Sequence, residues 1–260
     1  MAPQPDFSRV ICRETNVRMP AGLRTVAACD ITAYYEQGSQ NKGVIYVLAI
    51  CSLNFKNGTA SSGGGTLTWT SAQKTDFMTE MRKLIYWTWS DKHRITTASV
   101  VPAVTDYGVI VDVRLTENMS SLSHSHWNLD VKKVDAWDQS SVYGDGGGFA
   151  WNGKGNFDSQ DVVAVAKAGG HTTQRAAVHE FGHMIGLRDD YPSADGTAED
   201  NPNWLPDIQS VMHSGETVRD RHYAMLADWM TKKHSTMQVE KNAFIDFKVN
   251  GTVSLLNAKL

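Results

Sequence analysis

Cysteine is scarce in this chain and unevenly placed. Cys12, Cys29 and Cys51 are the three in 260 residues, all near the N-terminus. An odd count excludes a fully paired disulfide scaffold. One bridge with a free thiol remains open, beside the ordinary fate of unpaired cysteine, which is to be buried and inert. Long apolar runs are missing too. The longest, Val44 to Leu53, is too short to span a membrane and is rich in strand formers. No charge of one sign dominates: 25 basic residues face 28 acidic ones, net −3, without the basic stripe that a grip on nucleic acid requires. Residues 1–30 contain no hydrophobic signal core. Arg9, Arg13, Arg18 and Arg24 are interrupted by Asp6, Glu14 and Asp30, unlike a transit peptide. Localisation stays open among a cytoplasmic protein, a toxin or effector exported without a signal, and a chain trimmed of its leader.

What is present is enough for one large domain or two lobes around a cleft. Residues 1–42 show little periodicity and read as an irregular N-terminal segment. Val44 to Leu53 reads as a strand buried on both faces. Lys56 to Gly65 is turn material. A helix is expected from a Ser71 N-cap to about Ser90, with Phe77, Met81, Leu84 and Ile85 as its apolar face and Met78 and Trp89 flanking it. Strands follow at Val100-Val101, Tyr107 to Leu115, Trp127 to Trp137 and Asp161 to Ala166. A second helix, capped by Thr172 or Thr173, runs to about Leu187. A loop spans Asp190 to Pro206, and Val218 to Lys233 is helical again. Phe244 to Leu256 is a late strand or a hairpin around Asn250-Gly251. This order predicts an α+β fold: an α/β-like upper lobe over about residues 43–187 and a smaller, less regular lower lobe over 188–260.

The chemistry concentrates in one stretch, His179-Glu180-Phe181-Gly182-His183-Met184-Ile185-Gly186-Leu187-Arg188-Asp189. Histidines four apart on a helix are separated by about 40° around its axis, so both imidazoles can reach one metal ion. Glu180 sits beside that face, placed to hold a water rather than the metal. Gly186 suits the left-handed turn that ends a helix, and Asp189 can then close the ligand set from outside it. Ala176, Ala177, Phe181, Met184 and Ile185 form the buried side. A catalytic zinc takes three protein ligands and leaves a fourth position to water, whose pKa falls from about 15.7 towards about 7. The expectation is one catalytic Zn2+ held by His179, His183 and Asp189. Glu180 would be the general base and a protein or peptide chain the substrate.

The same residues resemble the metzincin pattern HExxHxxGxxH/D. The aspartate is as in its snapalysin-type variant and in bacterial sequences reading HEFGHxxGLxDEY. Ser210-Val211-Met212 is similar to the metzincin Met-turn. The resemblance covers about 35 residues. It implies a twisted mixed sheet, an active-site helix, a smaller irregular C-terminal lobe, zinc endopeptidase activity, and Met212 as the hydrophobic floor of the site. There are departures. An aspartate ligand lowers the metal's net charge, which calls for a less acidic water or a compensating cation; Arg188 and Arg219 are near in sequence. Asp190 is a rival third ligand with a poorer spacing. Ser214 stands where several metzincins carry a catalytic tyrosine, leaving Tyr191 and Tyr223 as substitutes or as packing residues. A gluzincin arrangement would instead use Glu199 or Glu216, against the Gly186 and Asp189 spacing.

Other residues carry lesser expectations. His124-Ser125-His126 would be a second metal site or an exposed loop. His171, His213 and His222 lie near the motif, and His213, next to Met212, is placed to line the cleft. Asp145, Asp158 and Asp161 could hold calcium but lack the spacing of an EF-hand. Gly147 to Trp151 is a candidate rim strand for pairing with an extended peptide. Cys12 is a weak candidate for an inhibitory thiol. The competing functions are hydrolysis of peptidoglycan peptides or another amide, and a zinc-stabilised binding module without catalysis. The oligomeric state is not legible.

Overall fold

The run Val44 to Leu53 forms the middle of the longest strand, and the sheet is built around it. The computed structural model describes residues 7–21, 24–98, 103–118, 125–144, 152–191, 204–237 and 247–252. In chain order the strands are β1 (Val10–Ala21), β2 (Arg24–Tyr35), β3 (Lys42–Lys56), β4 (Gly58–Thr59), β5 (Thr66–Leu67), β6 (His93–Thr96), β7 (Asp106–Glu117), β8 (Trp127–Lys132), β9 (Ser141–Gly144), β10 (Gly153–Asp158), β11 (Val165–Lys167), β12 (Thr172–Gln174) and β13 (Lys248–Thr252). The α-helices are α1 (Ser71–Trp89), α2 (Ala176–Met184) and α3 (Ala224–Met237). Nine strands make one mixed sheet, ordered β13-β6-β7-β3-β8-β10-β9, with β2 also on β3 and β1 on β2. The α+β expectation holds at this level.

Parallel neighbours explain the composition of β3. It runs parallel to β7 along Lys42 to Leu53 and to β8 along Cys51 to Lys56. Strands inside a parallel array are covered by helices and become apolar. Ile45, Val47, Ala49, Cys51 and Leu53 are buried, whereas Val44, Leu48 and Ile50 on the opposite face are half-buried. Burial is therefore complete on one face only.

The N-terminal expectation needs correction. Residues 10–21 and 24–35 are not irregular: β1 and β2 form a long antiparallel pair, and β2 in turn pairs with β3. Register shifts fall at Val10/Cys12, Glu14/Val17 and Val17/Arg18, and Asn16 adopts a φ of 57°. These bulges break the period-two pattern that reveals a strand in sequence. The small buried residues Ala27, Ala28 and Cys29 conceal it further; Ala28 gives its carbonyl to the indole N–H of Trp127 at 2.9 Å. All three cysteines are free and buried.

Other boundaries shift for local reasons. Thr70, not Ser71, caps α1: its hydroxyl accepts the Gln73 N–H and the Gln73 side chain accepts the Thr70 N–H, a capping box. The strand expected to reach Trp137 ends at Lys132. The Asp161 end of the next strand is a turn, with β11 starting at Val165. Thr172 and Thr173 belong to β12, so α2 has Arg175 at its N-cap and ends at Met184. A 3-10 turn, Asp220–Tyr223, leads into α3. Asn250-Gly251 lies inside β13, with a bulge and no reversal. Because β13 pairs with β6, part of the expected lower lobe returns to the main sheet. Val100-Val101 and Gly147 to Trp151 lie outside the described residues. Among the described residues no helix is long and apolar enough to cross a membrane.

Trp89 joins the two central helices. It closes the apolar row Phe77, Met81, Ile85 of α1, donates its indole N–H to the Val178 carbonyl of α2 at 3.0 Å, and packs edge-on against Phe181. Its own carbonyl takes the hydroxyl of the fully buried Tyr223. Trp89→Phe keeps most of the apolar contact but leaves the Val178 carbonyl without this donor. The expected loss is about 1–3 kcal/mol in urea unfolding.

Candidate metal centre

The helix α2 is buried almost all round; Ala177, Val178, His179, Glu180, Phe181, Gly182 and Met184 are all buried. It starts without a side-chain cap. Its first N–H groups are met instead by a Glu216 carboxylate oxygen on Arg175, at 2.7 Å, and by the Asp161 carbonyl on Ala177, at 3.1 Å. It stops in a Schellman reversal: Leu187 N–H bonds Gly182 O, Gly186 N–H bonds His183 O, and Gly186 takes a φ of 92°. A side chain at Gly186 would be strained by that φ and would press on Met19 and Pro20.

The reversal brings Asp189 back to the helix. Asp189 Oδ1 lies 3.2 Å from His179 Nε2 and 3.3 Å from His183 Nε2. Both rings are fixed from behind. His179 Nδ1 donates to the Val211 carbonyl at 2.8 Å, and His183 Nδ1 to the Leu187 carbonyl at 2.9 Å. These bonds assign the tautomers, so each Nε2 turns its lone pair towards Asp189. Asp189 Oδ1 is buried without a hydrogen-bond donor. Three acceptors thus point at one place, an arrangement that repels unless a cation or proton sits among them. The electrostatics agree. Burial alone would pull His183 down, but the Asp189 and Glu180 carboxylates and the Leu187 carbonyl raise it to about 9. A pocket that draws a proton so strongly suits a divalent cation, and the donor set of two imidazoles and a carboxylate suits zinc.

Glu180 completes the cluster. Its ligating atom and those of the two histidines lie within 4.8 Å of one another. Burial pushes its carboxyl above the usual carboxylate range, and Asp189 adds to that; the histidines and a hydrogen bond from the Val142 N–H oppose it. Its Oε2 is buried and unpaired.

Met212 lies under the helix. Gly182 leaves it room, since a Cβ there would fall 2.1 Å from the Met212 sulfur and 3.2 Å from Trp89. Gln174 holds the turn that carries Met212, through Nε2 contacts of 3.0–3.1 Å to the carbonyls of Val211, His213 and Gly215. Sequence reasoning missed Gln174 and Val142. Neither belongs to a spaced pattern, and only a buried glutamine just before a helix hints at the first.

Other candidates fall away from the cluster. Asp190 is buried and bonded to Ser210 Oγ at 2.5 Å and Arg221 at 2.6 Å, with its N–H on the Met212 carbonyl. It anchors the turn rather than facing the histidines. Glu216 pairs with Arg175 and Arg219 with Asp207. Glu199 lies outside the described residues, and Arg188 is exposed. Tyr223 is fully buried on Trp89 and has no access to a cleft. Tyr191 stays at the site: burial first, then the adjacent Asp189 and Glu180 charges, raise its hydroxyl pKa, and its ring packs on His213. His171 is exposed, and His222 accepts the Arg219 N–H beside Ser210. His126 uses both nitrogens within the sheet, accepting the Ile50 N–H and meeting Asp30, so it offers no lone pair to a second metal; His124 lies outside the described residues. Asp158 and the Asp161 Oδ2 are taken by N–H and hydroxyl donors rather than turned to a cation, and Asp145 lies outside the described residues. Cys12, on β1, is buried and its thiol pKa is raised by burial to about 11.

No protein-family model matches the chain, and no curated protein matches it.

Two outcomes follow from these contacts. Gly182→Ala overpacks Met212 and should cost about 1–3 kcal/mol in chemical denaturation. Burial by itself would raise Asp190, but His222, Arg221 and Ser210 hold its carboxyl well below the usual range. Its contribution is therefore complete above the unfolded carboxylate pKa of about 3.9 and fades as pH falls further. The stability gap between wild type and Asp190→Asn should be about 2–3 kcal/mol at neutral pH. It should narrow below about pH 4 in urea titrations.

Proposed function

We propose that the chain is a zinc-dependent endopeptidase with a metzincin-like catalytic core. The observation that carries the reading is the convergence of His179 Nε2, His183 Nε2 and Asp189 Oδ1, at 3.2 and 3.3 Å, with both Nδ1 atoms committed elsewhere. Gly186 and Met212, in the motif positions that resemble that family, support it through the reversal and the packing against Gly182.

His179, His183 and Asp189 would hold the ion, which when bound supplies Lewis acidity for the carbonyl under attack. The protein's own groups do the remaining work. Glu180 takes the proton of the attacking water and returns it to the leaving amine. Its raised pKa brings it closer to the working pH for that exchange, as burial does for catalytic carboxylates. Val142 holds the carboxylate by its N–H and leaves Oε2 free. The Val211 and Leu187 carbonyls keep the imidazoles oriented through each turnover. Among the described residues strand β9 is the last of the sheet and pairs with β10 alone, beside the site, and an extended peptide can align on such an edge by backbone hydrogen bonds.

Glu180→Gln should retain one zinc per chain by elemental analysis while cleavage of a denatured protein substrate falls by about 10²–10⁴-fold. A chelator should abolish wild-type cleavage, and zinc should restore it. Full activity in Glu180→Gln, or a wild-type protein that takes up no zinc, overturns the reading. Turnover of cell-wall peptides without turnover of proteins would redirect it to another amide.

A further inference from the structure

Asp161 is fully buried, yet it has no place in the chemistry described above. It bonds to two elements at once. Its Oδ2 accepts the Ser140 hydroxyl at 2.6 Å and the Asp158 N–H at 2.8 Å. Its main-chain carbonyl accepts the Ala177 N–H in the first turn of α2, three residues before Glu180. Ser140 leads directly into β9, whose Val142 N–H meets the Glu180 carboxylate.

We infer that Asp161 is a positioning residue for Glu180, tying the start of α2 to strand β9 through Ser140 so that the Val142 N–H stays against the Glu180 carboxylate. The strand has need of such a tie. It is four residues long, and among the described residues it is the last strand of the sheet, with β10 as its partner. Short edge strands have few ladder bonds and open at low cost. Asp158 secures the same corner, accepting the Asp138 and Gln160 N–H groups at 2.8 and 2.6 Å.

The protonation of Asp161 fits this role. Burial, then the charges of Asp158 and Glu180, push its carboxyl up to about 8, against the bonds from Ser140 and Asp158. The acid form is thereby favoured, so that Asp161 adds little negative charge to that of Asp189 beside Glu180. Its Oδ1, which lacks a partner among the described residues, is then the atom free to carry the proton. Asparagine reproduces both features: an acceptor for Ser140 and Asp158, and a donor in place of the acid proton.

The catalytic half of this inference rests on Glu180 as general base; the structural half does not. Ser140→Ala, Asp161→Ala and Asp161→Asn in the full chain separate them. Asp161→Asn should keep kcat within about 3-fold of wild type, whereas Ser140→Ala and Asp161→Ala should lower it about 10-fold or more with KM changed less than about 2-fold. Zinc content should be unchanged in all three. Amide hydrogen exchange at Val142 should accelerate in the two alanine variants and not in Asp161→Asn. If Asp161→Ala does not fold, Ser140→Ala and Asp161→Asn decide the matter. Loss of kcat in Asp161→Asn equal to that in Ser140→Ala, or unchanged exchange and kcat in Ser140→Ala, overturns the proposal. Should the wild type cleave nothing, the Glu180 reading fails. Exchange at Val142 then decides the tie alone, faster exchange in Ser140→Ala supporting it and unchanged exchange refuting it.

Discussion

Two backbone carbonyls, those of Val211 and Leu187, aim the imidazoles of His179 and His183. By accepting from Nδ1 they leave Nε2 as the free lone pair on both rings, facing Asp189. Each carbonyl is supplied by a different piece of architecture. Leu187 arrives through the reversal at Gly186, inside the motif itself. Val211 arrives from far along the chain, on a turn clamped by Gln174 from one side and by Ser210, Asp190 and Arg221 from the other. Without the second carbonyl, His179 could rotate and the convergence on Asp189 would be lost.

The surrounding core makes that arrangement rigid. Trp89 ties α1 to α2, Gly182 lets Met212 approach the helix closely, and Tyr223 closes the far side on the Trp89 carbonyl. Close packing of this kind has few alternative arrangements. It sustains groups that would be costly elsewhere, namely the unpaired Glu180 Oε2 and Asp189 Oδ1. Unsatisfied buried oxygens beside oriented imidazoles are what a metal-assisted hydrolase would hold in readiness. The proposed function therefore rests on local geometry; no family model and no curated protein matches the chain.

Legibility in the sequence followed the range of the interactions. The helix α1 was readable because Phe77, Met81 and Ile85 repeat at helical spacing, and its start slipped by one residue only because Thr70 and Gln73 make a better cap than Ser71. Strand β7 was readable from alternating valines. Strands β1 and β2 were not, since their bulges and their small buried residues Ala27, Ala28 and Cys29 erase the alternation. The start of α2 was misassigned because its N–H groups are met from Glu216 and Asp161, both distant in sequence, rather than by a neighbouring threonine.

The sequence alone determined that His179 and His183 share a helical face with Glu180 beside it, that the helix ends at a glycine, and that Asp189 follows within reach of a return turn. Periodicity and left-handed turn chemistry are local, so a dozen residues suffice to encode them. Only the tertiary structure showed that Asp189 and not Asp190 faces the two histidines, because Ser210, Arg221 and His222 draw Asp190 into a separate buried network. It alone separated Tyr191 from Tyr223 by burying the second against Trp89. It also brought Val142, Gln174 and Asp161 to the motif. Contacts between residues tens of positions apart form only when the whole chain packs, and no spacing within any one segment records them.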